Sequence, residues 1–206
     1  MKPLLLVLSF LPLIAFSLLT RVLPSGDVGV AGLVAAVCAV VAMLAVRPVW
    51  PPKILTVISL VLFTALAIAG FTAGAGTDHW LATWTGSGVG LVVGLVILVL
   101  IPVIPFTEQF ARQSTPQAYW ASPTFKQINR VLSAAWGVAI FAAGVCRVAA
   151  AVIERHGSHR LPDLLLGTAV PILIVLYMLK FSKSYPESVT HEQSVTHEQS
   201  RPPVSV

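Results

Sequence analysis

Charge is what this chain has least of. Asp, Glu, Lys and Arg make up only 10% of its 206 residues, against roughly a quarter in soluble domains. So few ions cannot solvate a globular surface, while 56% of the residues are hydrophobic and the mean hydropathy is +0.87. The class this leaves is an all-α protein embedded in a membrane. Acidic residues number eight, and none falls in the interior of an apolar run. That argues against the ionisable relay that coupled transporters carry within the bilayer. Cysteine is nearly absent: Cys38 and Cys146 lie in apolar segments, without metal or redox spacing, and read as small hydrophobes at different depths. There is no Gly-x-Ser-x-Gly, no phosphate-binding loop and no His-Glu-x-x-His, so enzyme activity is disfavoured and no cofactor is expected. The net charge is +5, but Lys and Arg sit at the ends of apolar runs rather than in a stripe. This excludes nucleic acid as a partner and points to the bilayer and its anionic headgroups.

What is present is long apolar runs. With roughly 20 such residues needed for one crossing, six spans are expected, at about 4–20, 28–46, 54–73, 87–105, 127–153 and 163–180. Breakers or charge bound them: Arg21 with Pro24 to Asp27, Arg47 to Lys53, Gly76 to His79, and Glu154 to Asp163. Lys2 and Ala15-Phe16-Ser17 faintly resemble a secretory signal, but the apolar run continues past any cleavage site, which favours a retained hairpin. One side would collect Lys2, Arg47, Lys53, Arg112, Lys126, Arg130, Lys180, Lys183 and Arg201; the other holds Arg21, Arg155 and Arg160. The positive-inside rule then puts both termini in the cytoplasm. From Ser184 to residue 206 the chain is polar and carries "SVTHEQ" twice in tandem, which reads as a disordered tail after a transmembrane domain of residues 1–183.

Small residues mark packing faces. Gly86, Gly90 and Gly94 repeat every four residues, Gly70 and Gly74 close the third span, and Ala135, Ala139 and Ala143 line the fifth. Such faces let backbones approach, within the bundle or, through Gly86, Gly90 and Gly94, between two copies. Pro12, Pro102 and Pro171 interrupt spans and are expected as kinks. Arg147 is the ionised residue well inside a span; it either snorkels to the interface or faces the bundle as an anion site. Glu154, His156 and His159, with Asp78 and His79 on the neighbouring loop, are weak metal-ligand candidates whose spacing matches no strong motif.

The polar centre of the chain, about 106–126, runs "PFTEQFARQSTPQAYWASPTFKQINR" to Arg130. Glu108 and Arg112 are spaced for a helical ion pair with Phe106 and Phe110 on an adjoining face, which predicts a short amphipathic helix on the membrane surface. Thr115-Pro116 and Ser122-Pro123 each read as an N-cap followed by proline at the first helical position, the second feeding span five. Tyr119 and Trp120 suit an interfacial aromatic belt. Arg112, Tyr119, Trp120, Lys126, Asn129 and Arg130 form the candidate docking site for an anionic lipid headgroup, a phosphorylated metabolite or a partner protein.

"PFTEQFAR", "YWASPTF" and "NRVLSAAWG" together resemble the central segment of a group of uncharacterised bacterial multi-pass membrane proteins, and more distantly intracellular septation protein A. The resemblance spans about residues 104–137. It implies a plasma-membrane location and a role in envelope or division processes, with no catalytic residues to carry over. An interaction or envelope-structural role is therefore the first functional reading, a small-solute transporter or channel the second, and a membrane-embedded lipid-modifying enzyme the third.

Overall fold

The computed structural model describes residues 3–23, 27–45, 53–72, 75–156, 161 and 163–199, and every regular element among them is helical. The order is α1 (Pro3–Val22), α2 (Val28–Ala45), α3 (Ile54–Thr72), α4 (Ala75–Leu100), a short α5 (Phe106–Ala111), a 3-10 turn (Gln117–Tyr119) and α6 (Pro123–His156). A π-helical stretch (Asp163–Ala169) then runs into α7 (Val170–Gln199). A helix satisfies its own backbone hydrogen bonds, which is the condition for burying a peptide chain in hydrocarbon. Among the described residues four segments are long and apolar enough to cross a membrane: Val28–Ala45, Ile54–Thr72, Pro123–Ile153 and Leu164–Val189. Two shorter apolar stretches, Ser9–Thr20 and Trp84–Leu100, lie within α1 and α4.

Several boundaries depart from the sequence reading. α4 begins at Ala75, not near residue 87, because the polar run Gly76–His79 contains no proline and is absorbed into the opening turns. It stops at Leu100, not 105. Pro102 is thus a stop and not a kink: it has no N–H to continue the ladder, and Val103 and Ile104 instead donate back to the Leu100 carbonyl at 3.1 and 2.8 Å. Pro171 cannot donate to the carbonyl four residues earlier, and the chain immediately upstream takes the wider π-helical turn. The segment after Ser184, expected without regular structure, continues α7 through Pro186 to Gln199. Tyr177, Phe181 and Tyr185 stack one turn apart at 6.4 and 5.3 Å, and Ser184 and Ser188 donate to carbonyls of the preceding turn.

Packing rests on two glycine-lined helix pairs. In the α2–α3 pair Gly29 lies against Gly70, and Gly32 against Ala67. In the α4–α6 pair Gly90 meets Gly144, Gly94 meets Phe141, and Gly137 meets Leu98. Both pairings are antiparallel. The face of Gly90 and Gly94 offered for a second copy is therefore occupied by α6 of the same chain, and Gly86 sits against Thr20 of α1. α1 is wedged between the pairs, with Ser9, Pro12 and Phe16 buried. The Phe16 ring tilts onto Phe63 of α3 at 4.9 Å, and Phe10 stacks on Trp136 of α6 at 5.5 Å. The Trp136 indole donates to Ser182 Oγ at 2.9 Å, tying α6 to α7. Arg147 faces inward from α6 and donates from Nη1 to Ser17 Oγ of α1 at 2.7 Å. Snorkelling alone does not describe it.

Candidate functional site

The N-terminus of α3, helix α5, the 3-10 turn and the N-terminus of α6 meet at one end of the bundle. α6 starts where local chemistry demands: Ser122 Oγ accepts the Phe125 N–H at 3.2 Å, with Pro123 in the first turn where no N–H is needed. Thr115-Pro116 yields less, a single 3-10 turn in which Pro116 is itself the cap.

α5 does not lie on a lipid surface by its apolar face. Phe106, Thr107 and Phe110 are buried in the protein, the two rings in edge contact at 6.3 Å. Hydrogen bonding explains why: Thr107 would have no partners in lipid, whereas on α6 it makes three hydrogen bonds to two groups. Its N–H donates to Ser133 Oγ at 3.2 Å and its hydroxyl to the Asn129 carbonyl at 2.8 Å. With that hydroxyl proton committed, Ser133 is the donor in the 2.8 Å contact between the two hydroxyls. The circuit closes with each proton used once.

On its other flank α5 holds α3. Gln109 Oε1 accepts the Ile54 N–H at 2.8 Å, satisfying one of the donors that open a helix. Lys53, the residue before α3, folds its side chain inward until Nζ stands 4.4 Å from the Phe110 ring centroid. Burial lowers the Lys53 pKa from its ordinary value, because desolvation disfavours the ammonium. The ring face attracts the cation and opposes part of that shift.

The outer side of the elbow is a short chain of polar contacts. Arg112 gives Nε and Nη2 to Glu108 Oε1 at 3.1 and 2.6 Å and lies 5.0 Å over the Trp120 ring. Trp120 Nε1 in turn donates to the Thr115 carbonyl at 2.9 Å. Tyr119 is 61% exposed, and Lys126 and Arg130 are exposed one turn apart on α6.

Five of the six candidate docking residues thus remain outside, and Arg112 and Trp120 come together. Asn129 does not join them. It is one position from Arg130, about 100° around the helix, and is 1% exposed. Its Nδ2 donates to the Phe125 carbonyl at 2.8 Å, and its Oδ1 has no partner among the described residues. Sequence reasoning missed Lys53, Thr107, Gln109 and Ser133. The spacing of Asn129 and Ser133, one turn apart on a single face, was the available signal. Glu154 and His156 close α6, and their side chains, like His159 and the side chains of Asp78 and His79, lie outside the described residues. Among the described residues no three His, Cys, Asp or Glu side chains converge on a metal-sized site. No protein-family model, curated protein or solved structure matches this chain.

Proposed function

We propose that this is a six-span protein of the bacterial cytoplasmic membrane, both termini inside, with an interaction or envelope-structural role exercised at the α5–α6 elbow. The elbow docks anionic lipid headgroups through Lys126 and Arg130, with Tyr119 and Trp120 at the bilayer boundary. The observation that carries this is the exposed Lys126–Arg130 pair beside an exposed tyrosine, at the end of a helix long and apolar enough to span. Arg112, already paired with Glu108 and Trp120, positions the aromatic side and is not itself the headgroup ligand.

The span count is supported by length. α1 and α4 have 20 and 26 residues, about 30 and 39 Å at 1.5 Å per residue. Orientation is supported by the Lys and Arg asymmetry, and the Ile54–Gln109 bond, which brings the α3 start against α5, is consistent with Lys53 and Arg112 lying on one side.

The test is lipid co-purification read by native mass spectrometry, comparing the chain with a Lys126→Gln, Arg130→Gln double variant in membranes containing phosphatidylglycerol. Retained phosphatidylglycerol should fall several-fold in the variant with unchanged helix content. Equal retention would refute the docking role. A reporter fused after Val206 should be active only in the cytoplasm.

A further inference from the structure

Two buried polar atoms lack partners among the described residues, Lys53 Nζ and Asn129 Oδ1, and both flank α5. Nζ stands over the ring of Phe110, and Asn129 is the residue whose carbonyl receives the Thr107 hydroxyl. Neither is rescued locally. Turning the Asn129 amide over would orphan Nδ2 and set Oδ1 against the Phe125 carbonyl that Nδ2 now satisfies. The aromatic face compensates the ammonium only in part, since it offers no lone pair to any of the three N–H groups. A buried donor or acceptor without a partner carries its full desolvation penalty.

The contacts holding α5 shut therefore stand against the cost of two buried groups without partners among the described residues, one of them covered by a ring of α5 itself. Holding it are the buried Phe106 and Phe110, the Gln109–Ile54 bond and the Thr107–Asn129–Ser133 circuit. α5 is also short and set off from its neighbours. It has six residues, and turns flank it at Ile101–Ile104 and after Arg112, each containing or meeting a proline.

We infer that α5 is a latch at the cytoplasmic end of the bundle, and that its opening hands the Lys53 ammonium to the phosphate of an anionic lipid headgroup. Closed, Lys53 is masked by Phe110 and the basic rim consists of Lys126 and Arg130. Open, Lys53 adds a third cation and Asn129 Oδ1 meets water. Lipid binding and latch position are then linked: a headgroup that engages Lys53 only in the open state shifts the population toward it. The headgroup as acceptor rests on the docking role proposed above; the latch itself rests on the two unpartnered groups.

The experiment is hydrogen–deuterium exchange on peptides covering 106–112 of the full chain, in nanodiscs of phosphatidylcholine with and without phosphatidylglycerol. In the unmodified chain phosphatidylglycerol should speed exchange of α5. Lys53→Met keeps the side-chain bulk against Phe110 and removes the unpartnered charge, so it should slow exchange by about tenfold in both discs and abolish the lipid dependence. Asn129→Leu should slow it independently. Exchange unchanged or faster in Lys53→Met overturns the inference, as does an unmodified chain whose α5 ignores phosphatidylglycerol. Failure of the docking role reads out separately, because Lys126→Gln, Arg130→Gln would lose no lipid while the slowing by Lys53→Met stands.

Discussion

Replacing Gly144 by alanine should loosen the α4–α6 pair, and the size of the effect follows from what a methyl group would meet. A Cβ on Gly144 would lie 2.5 Å from Leu91 N and 2.9 Å from Gly90 C, where ordinary contact begins at 3.4 Å. Both are backbone atoms, so no side chain can swing aside, and α4 must withdraw by about 0.9 Å at its nearest point to Gly144. Overpacking of this kind costs about 1–3 kcal/mol. Helix propensity works the other way, since Gly→Ala in a helix interior gains roughly 1 kcal/mol. Gly88 removes that ambiguity: it lies in α4 with nothing within 4 Å of its Cβ position, so Gly88→Ala collects the propensity gain without the clash. The propensity term cancels between the two variants, leaving Gly144→Ala less stable than Gly88→Ala by about 1–3 kcal/mol. Gly94→Ala, whose Cβ would lie 2.5 Å from Phe141 N, should track Gly144→Ala. Unfolding in mixed detergent micelles, followed by circular dichroism, measures the difference. Variants at 88 and 144 that agree within about 0.5 kcal/mol, or a more stable Gly144→Ala, would refute the backbone contact as the basis of this pairing.

Thr107→Val keeps the shape but leaves the Ser133 hydroxyl without its acceptor, so it should cost about 1–3 kcal/mol in the same assay, with Thr107→Ser recovering most of the loss. Glu108→Gln, acting on a pair open to solvent on the Arg112 side, should change stability by less than about 1 kcal/mol. Lys53 makes stability depend on pH in a stated direction. Its pKa is lower folded than its ordinary 10.5, so between the two values the unfolded chain binds the extra proton and stability rises with pH. The penalty is fully present below the folded value and gone above about pH 10.5. Lys53→Met should accordingly be more stable than the parent near neutral pH, and the gap should close as pH rises through that window. A gap constant from neutral pH to above the window would count against desolvation as its cause.

What was legible in the sequence was what is decided locally. Ser122-Pro123 starts α6 because a hydroxyl, an N–H and a ring lacking a donor suffice to do so. Glu108 and Arg112 pair because they are four apart on a helix. That the chain would form helices long and apolar enough to cross a membrane follows from its long apolar runs. Illegible were features that depend on a distant neighbour. Phe106 and Phe110 read as lipid-facing until Thr107 is seen to need the hydroxyl and carbonyl of α6. Lys53 read as one more boundary charge, since nothing near it in the chain announces Phe110, while Asn129 looked like part of a basic edge until its place on the helix put it inside. The glycines of α4 were marked as a seam, but whether another helix or another copy filled it was decided by Gly137 and Gly144, seven residues apart on α6.

The bond from Arg147 to Ser17 joins residues 130 positions apart. During synthesis at roughly 5–20 residues per second, about 6–26 s separate the two partners' emergence. α2 and α3, with only a short connection between them, can close their own seam within that interval, whereas Ser17 on the flank of α1 must wait for its guanidinium partner. Assembly therefore has a natural order: hairpin first, the α4–α6 pair next, and the guanidinium on α6 last, locking the earliest helix to one of the latest. A chain stalled before residue 147 would hold most of its apolar helices and the Phe10–Trp136 stack, yet lack the guanidinium bond that adds a second tie between α1 and α6.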